Sequence, residues 1–252
     1  KVVVVPSRWP EPFGRVAVEA MANGIPTLAS RAGGLAEIVG DGPLGVDACR
    51  DPEAWIAALR PLLASAERRA EHGALGQERA APFMDGAAPR AFAAMIERIA
   101  GAATPDFDRR LVAVVGGTRR ATAYAFVNAQ WTRRLADDPA TRVLDVETAG
   151  ELGRTLPDVV IHHHYGEHFA EAAFPEVGAL AAVRTWDFGP YPPAWVRRID
   201  EAVDRLLVYS RAVRRQAIAS GIPAAKVRVV PLGVDDAVFT PTGPAYPLAT
   251  AK

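Results

Sequence analysis

Glu11-Pro-Phe-Gly-Arg-Val-Ala-Val-Glu19 decides how this chain is read. Two carboxylates stand eight positions apart, and a Phe-Gly corner opens a helix between them. The valine run Val2 to Val5 precedes the segment, in the continuous apolar pattern of a parallel strand buried on both faces. Strand, short loop and helix in that order present backbone N–H groups to an anion at the helix N-terminus. Gly14 has no side chain to keep a diphosphate off those amides. Glu11 lies in the loop and Glu19 more than a turn inside the helix, so the two acids reach different parts of an extended ligand, such as a sugar and a ribose. Taken by themselves, the two glutamates fit equally well a dipole-favoured acid at a helix start and a solvated helical glutamate.

Composition narrows the classes. A chain of 252 residues has room for two domains. Lys plus Arg and Asp plus Glu balance at 29 each, so no global field points to nucleic acid or an anionic membrane. Cys49 is the sole cysteine, which excludes an internal disulfide and a cysteine-based metal site. No apolar run approaches the roughly 18–20 residues of a membrane span, and no secretory signal is visible. A cytoplasmic protein is expected. The chain opens at Lys1 directly in a strand and reads as a fragment.

The chain alternates strands and helices as parallel α/β proteins do. After the helix at 14–23, closed by Gly24, residues 26–30 read as a strand and 35–39 as a helical turn. Asp51-Pro52 is an N-cap and N1 pair, followed by Trp55, Leu59, Leu62 and Leu63 at helical spacing. A further helix spans 90–99. Residues 101–109 form the expected linker. Beyond it, strands are expected at 111–115, 142–146, 159–162, 179–185, 205–209 and 227–230, with helices at 119–135 and from Ser210 to Ser220. The expected division is therefore 1–100, a linker at 101–109, a second domain at 110–241 and a loop-like tail at 242–252.

The residues around Glu11 carry a resemblance. PSRWPEPFGRVAVEAMANGIPTLASRAGGLAEIVGDG is similar to the donor-binding motif of retaining GT-B-fold glycosyltransferases of the family-4 type, over about 35 consecutive positions. The resemblance implies that Glu11 contacts the donor sugar, Glu19 the ribose, and the backbone after Phe13-Gly14, at Gly14, Arg15 and Val16, the diphosphate. Arg15 stands where the family usually has an aliphatic residue. It also implies that no cofactor and no metal are needed, since positive side chains and helix dipoles offset the leaving diphosphate's charge.

The second half, through DVVIHHHYGEHF, TWDFGPYPPAW and VDRLLVYSRAVRRQAIASGIPAAKVRVVPLGVDDAVFTP, resembles the amino-terminal, acceptor-side domain of the same enzymes. The expected fold is α/β with Rossmann-like parallel sheets of the GT-B type, one incomplete domain followed by a nearly complete one. The chain reads as the junction of two tandem modules, with flanking glycosyltransferase domains missing. Its partners would be a nucleotide sugar and a carbohydrate or lipid-linked acceptor, with peripheral membrane contact of the parent left open and no nucleic acid.

On the acceptor side the expectations rest on Gly116-Gly117, His163 and Asp187. Gly116-Gly117-Thr118 follows a strand and opens a helix, but lacks the G-x-G-x-x-G spacing of a dinucleotide site. An ordinary tight turn explains it about as well. The triplet His162-His163-His164 ends a strand, where alternating side chains disfavour a metal. The resemblance selects His163 for the cleft and, with Glu11, for catalysis. Asp187 falls in a cleft-lining loop, with Trp195 expected in the core, Ser210 as a helix cap and Arg214-Arg215 as solvated surface. The chain is thus expected to belong to a hexosyltransferase-type enzyme and to be inactive by itself. A non-catalytic nucleotide-sugar or glycan binding module is the alternative, and a nicotinamide-dependent dehydrogenase is disfavoured by the missing fingerprint.

Overall fold

The computed structural model describes residues 1–84, 86–100, 109–118, 122–163, 169, 177–186, 189–235 and 238–242. The chain divides into two compact units, residues 1–86 with the stretch from 233 onward, and residues 87–232.

The first unit holds a parallel sheet of strands β1 (Val3–Val5), β2 (Thr27–Ser30) and β3 (Gly45–Val46), in that order. Helices α1 (Arg15–Ala22), α2 (Gly34–Val39), α3 (Pro52–Ala64) and α4 (Ala66–Ala80) connect and cover it. Local chemistry sets their ends. Asp51 accepts from the Glu53 N–H to cap α3, with Pro52 in the first turn. Ser65 then ends α3 and caps α4 through the Arg68 N–H. Gly24, at φ 67°, follows the C-cap of α1 and supplies the left-handed residue that stops it. Leu28, Val46, Trp55 and Leu62 form a core beneath α3. The backbone returns to this unit at Val234, whose N–H donates to Phe83 O at 2.9 Å.

The second unit is a six-stranded parallel sheet built from β4 (Arg110–Val115), β5 (Thr141–Val146), β6 (Val159–His162), β7 (Ala179–Val183), β8 (Arg205–Val208) and β9 (Val227–Val229). Its spatial order is β5-β4-β6-β7-β8-β9. Strand β4 pairs with β5 on one side and β6 on the other, so the order reverses there. Such a reversal opens a crevice at the carboxyl ends of the strands, where ligands of open α/β sheets bind. Helices α5 (Ala87–Ala100), α6 (Ala123–Ala136), α7 (Pro193–Ala202) and α8 (Arg211–Ala219) complete the unit. The parallel α/β class agrees with the expectation from sequence.

Several boundaries differ from those expected. Helix α5 packs on α6 and joins the second unit, with Phe92 stacked on Trp131 at 4.1 Å between ring centroids and 9° between planes. The sequence reading counts that helix with residues 1–100, and its linker residues 101–108 lie outside the described part. Helix α6 starts at Ala123, capped by Thr122, rather than near 119. Residues 193–202, to which no strand or helix is assigned from sequence, are helix α7, which begins at Pro193, the position where a missing N–H costs nothing. Trp195 on that helix packs against the core, as expected, and Ser210 caps α8 through the Val213 N–H.

Candidate functional site

The loop from β1 to α1 is held by backbone before any ligand arrives. Glu11 forms a parallel bridge with Gly33, and the Gly34 N–H donates to Glu11 O at 2.5 Å. A Cβ on Gly33 would collide with the Glu11 backbone, and one on Gly34 with Pro12 O. The Gly33-Gly34 pair of the motif is therefore what lets the loop after β2 press against the loop after β1. With the backbone fixed, Ser7 Oγ donates to Glu11 Oε1 at 2.8 Å and aims the carboxylate.

Gly14 is the N-cap of α1, at φ 99°, with no side chain capping the helix. A Cβ there would overlap Leu35. The first intrahelical bonds run from Ala17 and Val18 back to Gly14 O, so the amides of Arg15 and Val16 precede them and carry the positive end of the helix dipole. Val16 is 60% exposed. Phe13 points the other way, buried and edge-on to Phe83 at 5.3 Å, so its contribution is to anchor the corner. Arg15 Nε lies 2.6 Å from Glu19 Oε1. The second glutamate of the motif is thus ion-paired one turn along its own helix, a contact that the aliphatic residue usual at position 15 would lack.

In the second unit, Gly116 (φ 133°) and Gly117 (φ 68°) form the turn at the carboxyl end of β4, and both amides donate to Val146 O, at 2.9 and 3.1 Å. A Cβ on Gly116 would strike His163 O, and one on Gly117 the Glu147 carboxylate. Thr118 Oγ1 donates to Asp145 Oδ2. His163 lies beside this turn but is only 1% exposed, with both ring nitrogens engaged, Nδ1 with Asn128 Oδ1 at 2.7 Å and Nε2 with Tyr209 Oη at 2.6 Å. Asp187 and His164 lie outside the described residues.

No motif in the sequence marks Asn128, Tyr209 or Arg184. Arg184 directly follows β7, buried, with Nη2 2.6 Å from His162 Nδ1 and its guanidinium 4.4 Å from the Phe169 ring centre. Arginine only donates, so His162 Nδ1 accepts. Burial lowers the Arg184 pKa to about 10, which leaves it charged near neutrality. The available signals were an arginine closing the apolar run ALAAV, an asparagine on the covered face of a helix, and a tyrosine at a strand end.

Among the described residues no group of three or more His, Cys, Asp or Glu is gathered as a metal centre, and no helix is long and apolar enough to cross a membrane. A separate cavity of about 570 Å³ in the first unit is lined by Leu62, Arg68, Glu71, His72 and Leu75, among others. His72 Nε2 donates to Thr27 O at 3.1 Å. Burial lowers its pKa, against a smaller opposing effect of that bond. The unfolded chain therefore takes up this proton more readily than the folded one. The associated stability is full above the unfolded value, about 6.5, and is lost as pH falls below it. The first unit should lose stability as pH falls below about 6.5 more steeply in the wild type than in His72→Gln. Urea midpoints that move in parallel in the two proteins would show that His72 is not the group responsible.

Parallel Rossmann-like sheets, with a held carboxylate beside a glycine-opened helix N-terminus, define an α/β protein of the class in which ligands sit at the carboxyl ends of the strands. Residues 1–79 match the family model for glycosyl transferases group 1, and residues 103–238, more than half the chain, match that for glycosyltransferase family 4. The chain belongs to glycosyltransferase family 4. It is 43% identical over 84 residues to a D-inositol 3-phosphate glycosyltransferase of Corynebacterium kroppenstedtii, covering 32% of this chain and 18% of that one. It is 49% identical over 71 residues to a glycogen synthase of Mycobacterium tuberculosis, covering 27% and 17%, and 36% identical over 74 residues to spore coat protein SA of Bacillus subtilis, covering 29% and 20%. The chain thus spans about a fifth of the length of the curated relatives it matches. No solved structure gave a significant match.

Proposed function

We propose that this chain is part of an enzyme that transfers a glycosyl group from a nucleotide sugar to a carbohydrate or lipid-linked acceptor, with retention at the anomeric carbon and without a metal. The observation that carries the reading is the Glu11 carboxylate, aimed by Ser7 and clamped by Gly33-Gly34, in the loop that leads into the uncapped N-terminus of α1. In this reading Glu11 takes hydroxyls of the donor sugar. The amides of Gly14, Arg15 and Val16 receive the diphosphate, where the helix dipole favours negative charge. Glu19 takes the ribose hydroxyls while Arg15 holds its carboxylate in place. As the diphosphate leaves, charge grows on the phosphate oxygen released from the anomeric carbon, next to donors already in position, which is where preorganised dipoles lower a barrier. The acceptor-side edge lies at the Gly116-Gly117 turn, on the reversal of strand order. In this reading the 252 residues by themselves bind without turnover.

The test is calorimetric titration of the chain with UDP- and GDP-sugars and with the corresponding free diphosphates. Glu11→Ala should weaken a nucleotide sugar by roughly 10- to 100-fold, the loss expected for hydrogen bonds to a charged group, and leave the free diphosphate unchanged. Equal loss of both would remove Glu11 from the sugar. Assaying turnover in the full-length protein then separates an enzyme from a binding module, which would bind without turning over.

A further inference from the structure

Asn128 on α6 is fully buried against the carboxyl ends of β4 and β6. Its Nδ2 donates to Gly117 O at 2.9 Å and to His163 O at 3.1 Å. Both partners are carbonyls and can only accept, so the amide nitrogen is fixed on that side and Oδ1 faces the histidine. Oδ1 can only accept, which puts the proton of His163 on Nδ1. In neutral imidazole Nε2 is then a lone pair, and Tyr209 Oη must donate to it. Every direction in the chain follows from the two carbonyls at its end.

We propose that Tyr209, His163 and Asn128 form a one-directional hydrogen-bond chain that positions the Gly116-Gly117 turn at the reversal of the second unit's sheet. The hydrogens run from Tyr209 to His163, from His163 to Asn128, and from Asn128 to Gly117 O. His163 is thereby a positioning residue for the turn. The importance of the turn rests on its assignment to the acceptor side, but the chain itself stands on geometry alone.

Aromatic rings enclose the chain. His163 packs between the rings of Tyr124 and Trp131, each with its centroid 4.9 Å away, and edge-on to Tyr209. Burial raises the Tyr209 pKa and Tyr124 adds to the effect, against a smaller opposing pull from the Arg184 cation, so the tyrosine proton stays available to donate. The glycines are the other half of the device. A side chain at position 116 would strike the same His163 carbonyl that Asn128 holds, so the turn can sit against β6 only without one.

The test uses the whole chain with ¹⁵N-labelled histidine, together with amide hydrogen exchange. His163 should be a single neutral Nδ1–H tautomer across about pH 5–8, the range in which a free histidine titrates. Tyr209→Phe removes one oxygen atom. It should move the Nε2 resonance toward that of an acceptor without a donor while the tautomer is kept. Asn128→Ala should mix the tautomers and raise exchange at Gly116 and Gly117 roughly tenfold, the scale of one lost hydrogen bond, with the amide of Val112 unchanged. If Asn128→Ala does not fold, the Nε2 shift in Tyr209→Phe decides. An Nε2–H tautomer or an imidazolium in the wild type overturns the proposal, as does unchanged Nε2 in Tyr209→Phe. Failure of acceptor sugars to perturb Gly117 in the full-length protein would instead sink the acceptor-side assignment of the turn.

Discussion

Phe92→Ala is expected to destabilise the second unit by about 3–5 kcal/mol, the range for deleting a buried phenylalanine ring. Phe92 is 1% exposed and lies flat on Trp131, a stacked pair that adds to the area it buries. Trp131 in turn packs against His163, so the cavity would open under the turn at the end of β4. Hydrogen exchange resolved by strand reads the outcome. Amides of β4 and β6 should lose protection together, while those of β2 in the first unit keep theirs. Were α5 part of the first unit, as the division at residues 101–109 has it, β2 would weaken and β4 would not. A polypeptide cut at that expected linker should lose at least as much from the second unit as Phe92→Ala does, because it loses the whole helix.

What could be read from sequence follows the range of the interactions involved. The corner at Phe13-Gly14 and the Gly33-Gly34 return were legible because each glycine meets a backbone constraint in the same short motif, and a motif carries its own geometry. Asp51, Ser65 and Ser210 cap helices within three residues of themselves, so local chemistry was enough for the two of them that were read, Asp51 and Ser210. Strand β3 has two residues, too few to show any period. Periodicity assigns α5 an apolar face but says nothing about which sheet that face covers. His163 shows the same limit at a site. Its place at a strand end suggested a cleft, yet its two ring partners come from 35 positions before and 46 after. Only the packed structure shows that these partners take both nitrogens. Arg15 and Glu19, by contrast, are one helical turn apart, and their pairing was readable as an i,i+4 contact.

Gly33→Ala is expected to be strongly damaging, because the added methyl meets the backbone of the loop after β1. Gly33 has φ 62° and ψ −130°, a region that only glycine enters at low cost, and its missing Cβ is where the Glu11 backbone runs. Gly153, in the second unit, has nearly the same backbone, φ 56° and ψ −118°, with nothing within 4 Å of a built Cβ. The pair separates two costs. Gly153→Ala should destabilise its unit by about 1–3 kcal/mol, from backbone strain alone. Gly33→Ala carries that strain and also an overlap with Glu11 that neither backbone can yield without breaking the Gly34-to-Glu11 bond. Overpacking of this kind adds about 1–3 kcal/mol, for about 2–6 kcal/mol in all. Because the loop that moves carries the Ser7-held carboxylate, nucleotide-sugar affinity should fall with stability, and by more than in Ser7→Ala. Thermal melts of the two variants and titration with a UDP-sugar check both parts. Equal destabilisation in the two alanine variants, with affinity intact in Gly33→Ala, would mean that the return loop does not hold Glu11. The carboxylate would then owe its aim to Ser7 alone.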